Sequence, residues 1–285
     1  MKEEIGEVKE LSGKIAAFFD LDGTLVALPS LERRLFQRLR KSPAIQGKNY
    51  LLWLAEAVRL LPRGINGIFQ GNKMYLRGVR IIDECDERSD KACSRHEDGH
   101  QGGGRAPEFA QSNARLPVPF FLEQGVERVA WHAKQGHEIV LLSGTLEPLA
   151  REAARTLEGL LAGRGIEVAI RVMATRLEEK DGKWTGRVLG EAMFGEVKAR
   201  AARQLATEMR FDLEKCYAYG DSLSDRWLLE SVGRAAAVNP PNDLASIARK
   251  RGWPRLNWEK EESLTQRRAG RRGIAEKTRQ HSASA

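Results

Sequence analysis

Short apolar runs alternate along this chain with amphipathic stretches of helical length, and that alternation restricts the fold more than any other feature. Runs at 15–19, 138–142, 168–173, 215–219 and 235–238 have strand length. Between them, 146–161, 196–209, 224–232 and 242–251 carry helical patterns, with Gly233 placed to stop the third. Strands separated by helices predict an α/β fold built on a parallel sheet with helices packed on it. After the third run, Asp181-Gly182 separates two partly alternating segments and predicts a β-hairpin beside the main sheet.

The first two runs lie more than a hundred residues apart, far beyond an ordinary strand-to-helix connection, so an inserted unit is expected between them. Its first half reads as helices at 31–40, 50–61 and 65–77. The second of these is apolar nearly all round, which predicts a buried helix of the insert in preference to a membrane-surface helix. Residues 83–115 contain no Leu, Ile, Val or Met and are expected to form a disordered loop. Cys85, Cys93, His96 and His100 fall there, but their spacing misses the usual zinc pattern and no metal is expected on them. The expected layout is a core of 1–25 and 126–258, an insert over 26–125, and a tail over 259–285.

Composition excludes several classes. No run approaches the roughly 18 apolar residues of a membrane-spanning helix, and the charged start Met1-Lys-Glu-Glu lacks a signal-peptide core. Three cysteines (Cys85, Cys93, Cys216) make no disulfide framework. A soluble, cytoplasmic protein is expected. The net charge of +8 sits mostly at the end, where eleven Lys or Arg face four Glu from Arg249 onward. With no aromatic interleaving after Trp258, that tail reads as a solvated end and nucleic acid is not an expected partner.

Chemistry gathers at the strand ends. Asp20 and Asp22 follow the first run, two apart, and so project together at the carboxyl end of a strand, where open α/β sheets bind ligands. Such a pair needs either a cation between the carboxylates or a proton held by one. Ser143-Gly144-Thr145 ends the second run with a hydroxyl and a turn whose N–H groups suit an anion. Lys198 lies in the first turn of a helix, opposed by the dipole, and reads either as the partner of an anion or as a solvated lysine among Arg200 and Arg203. Gly220-Asp221-Ser222 and Asp225 end the fourth run. The carboxylates suit magnesium as oxygen ligands; alternatively Asp221 or Ser224 caps the following helix.

In order and placement these residues resemble the four motifs of the haloacid dehalogenase superfamily: Asp20-x-Asp22-Gly-Thr24, Ser143, Lys198 and Gly220-Asp221-Ser222-x-x-Asp225. The Phe-Phe-Asp-Leu-Asp-Gly-Thr-Leu run, the Asp181-Gly182 hairpin and Ala237-Val238-Asn239-Pro240 resemble its phosphoserine-phosphatase-like subfamily, often labelled IB. The resemblance covers about 14–258. It implies a Rossmann-like, doubly wound sheet with a helical cap formed by the insert. It further implies magnesium-dependent hydrolysis of a small phosphorylated metabolite. Asp20 would be the nucleophile and Asp22 the general acid and base. Thr24, Ser143, Gly144 and Lys198 would hold the phosphoryl oxygens. Magnesium would lie at Asp20, the main-chain carbonyl of Asp22, Asp221 and Asp225. The second aspartate separates ester hydrolysis from dehalogenation and ATP-driven transport within the family. Glu32 and Arg33 lie where cap residues would meet an amino or carboxylate group. Alternatives are phosphotransfer to an alcohol, or a non-catalytic role in which the basic tail binds RNA or another anion.

Overall fold

The computed structural model describes residues 13–81, 113–114 and 116–258. The cysteine–histidine group at 85–100, most of the expected loop and the tail from 259 lie outside the described residues. In chain order, β1 (Ala16–Phe19) leads into α1 (Leu31–Leu39), α2 (Gly47–Leu60), α3 (Gly64–Gly71), β2 (Arg80–Ile81) and β3 (Asn113–Ala114). Then come α4 (Glu123–Lys134), β4 (Glu138–Leu146), α5 (Glu147–Ala162), β5 (Ile170–Thr175), β6 (Leu177–Lys180) and β7 (Lys183–Val188). The chain continues through α6 (Glu196–Met209), β8 (Tyr217–Gly220), α7 (Arg226–Glu230), β9 (Arg234–Val238), α8 (Asn242–Arg251) and β10 (Arg255–Leu256).

The expected parallel sheet is present, in the order β10-β9-β8-β1-β4-β5. Every residue of β1 is buried, as a central strand covered on both faces requires. The two-residue period divides its side chains between two cores. Ala17 and Phe19 join Ile139 and Leu141 under α4 and α5, while Ala16 and Phe18 join Val140 and Leu142 under α6, α7 and α8. The chain builds outward from β1 to β4 and β5, then returns to lay β8, β9 and β10 on the other side. The carboxyl ends of β1, β4 and β8 therefore flank the crevice where strand order reverses.

Several local expectations are corrected. β4 runs on to Leu146, through Ser143-Gly144-Thr145, with a register irregularity between Ser143 and Leu146. The side chain of Thr175 donates to the Gly144 carbonyl at 2.8 Å and keeps this stretch against β5. The helix expected at 65–77 breaks after Gly71, where Asn72 accepts from Met74 N (3.2 Å) and donates to Trp53 O (2.8 Å). Asn113–Ala114, inside the segment expected to be disordered, pairs parallel with β2, because main-chain bonding needs no apolar side chain. β6 and β7 form the expected hairpin, with Asp181 and Gly182 both at positive φ.

The expectation of a buried second insert helix is also overturned. In α2 only Asn49, Ala57 and Leu60 are buried, whereas Leu51, Leu54 and Val58 face outward at 57–70% exposure. Its apolar residues divide among a narrow packing strip, a cavity wall and an open face. Among the described residues no helix is long and apolar enough to cross a membrane.

Candidate active site

Asp20 leaves the end of β1 with its N–H bonded to the Tyr219 carbonyl of β8 at 2.9 Å. The chain then turns tightly, Gly23 N donating to Val26 O at 2.7 Å. Gly23 has φ +92°, and a Cβ there would lie 2.1 Å from Asp221 Oδ2. Glycine is what lets the loop after β1 and the loop after β8 close on one another. Oxygen atoms of Asp20, Asp221 and Asp225 then lie within 4.8 Å of one another.

Lys198 reaches this cluster from the first turn of α6 and is 2% exposed. Its Nζ donates to Asp20 Oδ1 at 2.5 Å and to Asp225 Oδ1 at 2.6 Å. The solvated reading is excluded. The helix cap expected at Asp221 or Ser224 falls on Ser222 with Asp225. The second Asp225 oxygen accepts from Ser222 N (3.1 Å) and Ser222 Oγ (2.7 Å), forming a capping box, while the first holds Lys198.

Asp22 turns the other way. Its Oδ1 accepts from Leu31 N at 2.8 Å, at the start of α1, and Ser30 caps the same helix. Burial pushes the Asp22 carboxyl up to about 6, against the pull of the Leu31 bond and with the help of nearby Glu32. Burial also raises Asp20 well above the usual range, and the attraction of Lys198 does not overcome it once Asp225 and Asp221 add their repulsion. Asp221 is pushed up to about 7, by burial first and Asp225 second. The Lys198 ammonium, despite its own burial, is held above its ordinary value by the two carboxylates it touches.

Three clustered carboxylates thus share a single ammonium, and the cluster is short of positive charge. The donors are all oxygen, which suits a hard divalent cation such as magnesium. The residues present fit such an ion at Asp20 and Asp221. Both Asp225 oxygens already have partners, so that residue stands behind the other two. The side chain of Asp22 lies outside the cluster, leaving its main-chain carbonyl as its only route to a cation.

Asp20, Asp22, Ser143, Gly144, Lys198 and Asp221 all line one cavity of about 250 Å³. Ser143 and Thr145 line it from β4, and among the described residues the buried Thr145 Oγ1 has no hydrogen-bond partner. An orphaned donor at an anion-sized cavity has a ready use. Thr24 is the exception among the expected phosphate contacts. It is fully buried and its Oγ1 reaches Asp221 Oδ1 at 3.5 Å, so its side chain supports an acidic residue and does not line the cavity.

Two features had escaped sequence reasoning. Phe194 lies against Gly144 so closely that a Cβ there would be 2.2 Å from its ring, and it walls the cavity. A lone aromatic before Gly195 carries no periodic signal. Lys73 is the other: its Nζ meets Glu32 Oε1 at 2.6 Å, and Tyr75 OH donates to the same oxygen at 2.5 Å. Glu32 does reach the cavity, as expected, but with its charge already compensated by Lys73; Arg33 is exposed and lines a second cavity that adjoins it.

The family model of haloacid dehalogenase-like hydrolases matches residues 17–230. A "Probable phosphatase" of Mycobacterium tuberculosis is 38% identical over 152 residues, which is 53% of this chain and 49% of that protein. A phosphoserine phosphatase of the same species is 39% identical over 127 residues, 45% of this chain and 38% of that one. This chain therefore spans half or less of the length of these relatives. A crystal structure of a protein of unknown function from Bordetella pertussis Tohama I aligns with a TM-score of 0.58 at 25% identity, covering 87% of this chain and 100% of the other.

Proposed function

The chain belongs to the haloacid dehalogenase-like hydrolases, and from that premise we propose that it is a magnesium-dependent phosphatase, hydrolysing a small phosphorylated metabolite through an aspartyl-phosphate on Asp20. The observation that carries this reading is Asp22 on the same cavity as Asp20, its carboxyl raised to about 6 and therefore able to hold a proton near neutrality. The relatives named as phosphatases support it. Asp20 and Asp221, with the main-chain carbonyl of Asp22 and Asp225 behind them, would hold magnesium. The ion would offset repulsion between an anionic nucleophile and an anionic phosphate.

The chain's own groups divide the reaction into two displacements. An Asp20 carboxylate oxygen attacks phosphorus as the ester P–O bond breaks, and the leaving alkoxide takes the proton of Asp22. Asp22, now a carboxylate, takes a proton from water as the water oxygen attacks phosphorus. The bond between phosphorus and the Asp20 oxygen breaks, which regenerates the nucleophile and releases phosphate. Lys198, Ser143 and Thr145 hold the phosphoryl oxygens from positions fixed before substrate arrives. The test is release of inorganic phosphate from an aryl phosphate by the full chain with magnesium. Activity is expected to vanish on chelation and in Asp20→Asn; turnover retained by Asp20→Asn would overturn the proposal.

A further inference from the structure

A second, larger cavity of about 690 Å³ opens directly onto the catalytic one, sharing Ser30, Glu32 and Phe194 with it. Its volume lies within the range of about 300–1,000 Å³ typical of whole ligand sites, so a phosphoryl group held at Asp20 fills none of it. The walls are mainly aromatic: Phe36, Tyr50, Trp53, Tyr75 and Phe194. Phe36 and Tyr75 meet edge to face at 5.2 Å, which fixes that side of the chamber.

Of the polar groups on this wall, Glu32, Lys73 and Asn72 are engaged with neighbours, while Arg33 and Gln70 also line it and Arg33 is exposed. Glu32 is bound by Lys73 and Tyr75, and Asn72 spans Trp53 O and Met74 N. Both contacts fall on Glu32 Oε1, and a substrate ammonium at the other oxygen would meet a carboxylate whose charge Lys73 already compensates. Glu32 is therefore a weakened receiver for an amino group. The chamber offers a broad aromatic surface, and its edge at Tyr50 adjoins the outward apolar row Leu51, Leu54 and Val58 of α2.

From this juxtaposition, and resting on the phosphatase reading above, we propose that the substrate is an amphiphilic phosphomonoester. Its phosphate sits at Asp20 and an uncharged aliphatic body of several carbons fills the aromatic chamber. Recognition of the body is hydrophobic, so specificity grows with apolar surface up to the length of the chamber.

The experiment uses the full chain with magnesium and a series of monomeric n-alkyl phosphates from ethyl to octyl, alongside phosphoserine. Complete burial is worth at most about fourfold in kcat/KM per added methylene. Octyl phosphate is expected to exceed ethyl phosphate at least a hundredfold, and to exceed phosphoserine. Tyr50→Asp, at an exposed rim position, is expected to flatten the slope with an unchanged thermal midpoint. Non-hydrolysable alkylphosphonates, titrated calorimetrically, should show the same dependence in affinity without chemistry. A flat series, or phosphoserine as the preferred substrate, overturns the inference and leaves the phosphatase reading intact. No phosphate release from any compound, with no phosphonate binding, overturns both.

Discussion

Replacing Lys198 by methionine removes one charge with little change in volume, at the point where the site is most tightly balanced. The ammonium is 2% exposed and lies 2.5 Å from Asp20 Oδ1 and 2.6 Å from Asp225 Oδ1. Deleting one partner of a buried ion pair costs about 3–5 kcal/mol, because the remaining charge is left without compensation. At about 2–4 °C per kcal/mol for a domain of this size, the midpoint of thermal unfolding should fall by about 6–20 °C at neutral pH. The sign of the pH dependence follows from Asp20, whose carboxyl is already raised by burial. Without Lys198 it rises further above its unfolded value. A group with a raised folded pKa favours the folded state at low pH and penalises it as pH increases. The deficit of Lys198→Met against the parent should therefore be largest near pH 7.5 and shrink towards pH 5.

Activity provides an independent reading of the same change. Loss of a fixed donor to the phosphoryl oxygens costs about 10²–10³ in kcat, and protonation of the nucleophile adds to that loss. Scanning calorimetry at pH 7.5 and 5.0, with and without magnesium, measures the stability terms, and phosphate release measures the kinetic one. Added magnesium should narrow the stability deficit, since a cation at Asp20 and Asp221 replaces part of the lost charge. A midpoint within 2 °C of the parent at both pH values, with turnover within tenfold, would refute the assignment of Lys198 as the charge that holds the site together.

Three further outcomes test neighbouring parts of the argument. Asp22→Asn should lower turnover of alkyl phosphates by about 10²–10⁴. It should still give a stopped-flow burst with 4-nitrophenyl phosphate, whose leaving group needs no proton. Leu31→Pro removes the N–H that Asp22 accepts and part of a buried core side chain, while proline still suits the first position of a helix. A bond to a charged group is worth about 1.5–3 kcal/mol, so kcat should fall by about 10- to 100-fold while α1 persists by circular dichroism. His132 is fully buried between Tyr219 OH (2.9 Å) and His137 Nδ1 (2.8 Å), and burial lowers its pKa to about 3. Below its unfolded value near 6.5 the unfolded chain binds a proton that the folded chain refuses. Stability should fall by about 2 kcal/mol between pH 7 and 5 in urea titrations, a slope that His132→Gln removes.

The parallel sheet was legible because strands buried on both faces are written as uninterrupted apolar runs, and β1, β4, β8 and β9 all carry one. The acidic strand ends were legible because Asp20, Asp22 and Asp221 interrupt those runs abruptly. Lys198 was legible only through the order of the motifs it belongs to: a first-turn lysine near Arg200 and Arg203 has the same local sequence environment whether it faces water or Asp20. Ser143-Gly144-Thr145 suits a turn and a strand irregularity equally, and only the bond from Thr175 decides between them. The insert was the least legible part. Apolar residues all round α2 fit a core helix, a cavity wall or a bare face, and α2 divides its residues among all three.

That division has a consequence for how the site is tuned. Asp20, Lys198, Ser143 and Asp221 are anchored by the sheet and α6, and their geometry is set without the insert. Asp22 is different, because its carboxylate is fixed by the first N–H of α1. The next residue of that helix, Glu32, lines both cavities and carries the Lys73–Tyr75 contacts. One helix thus orients the proton donor and forms the wall that the substrate body meets. A substrate that shifts α1 must also shift the hydrogen bond on Asp22. Poor fit in the aromatic chamber should then appear in kcat as well as in KM, because misplacing the acid slows the chemical step itself.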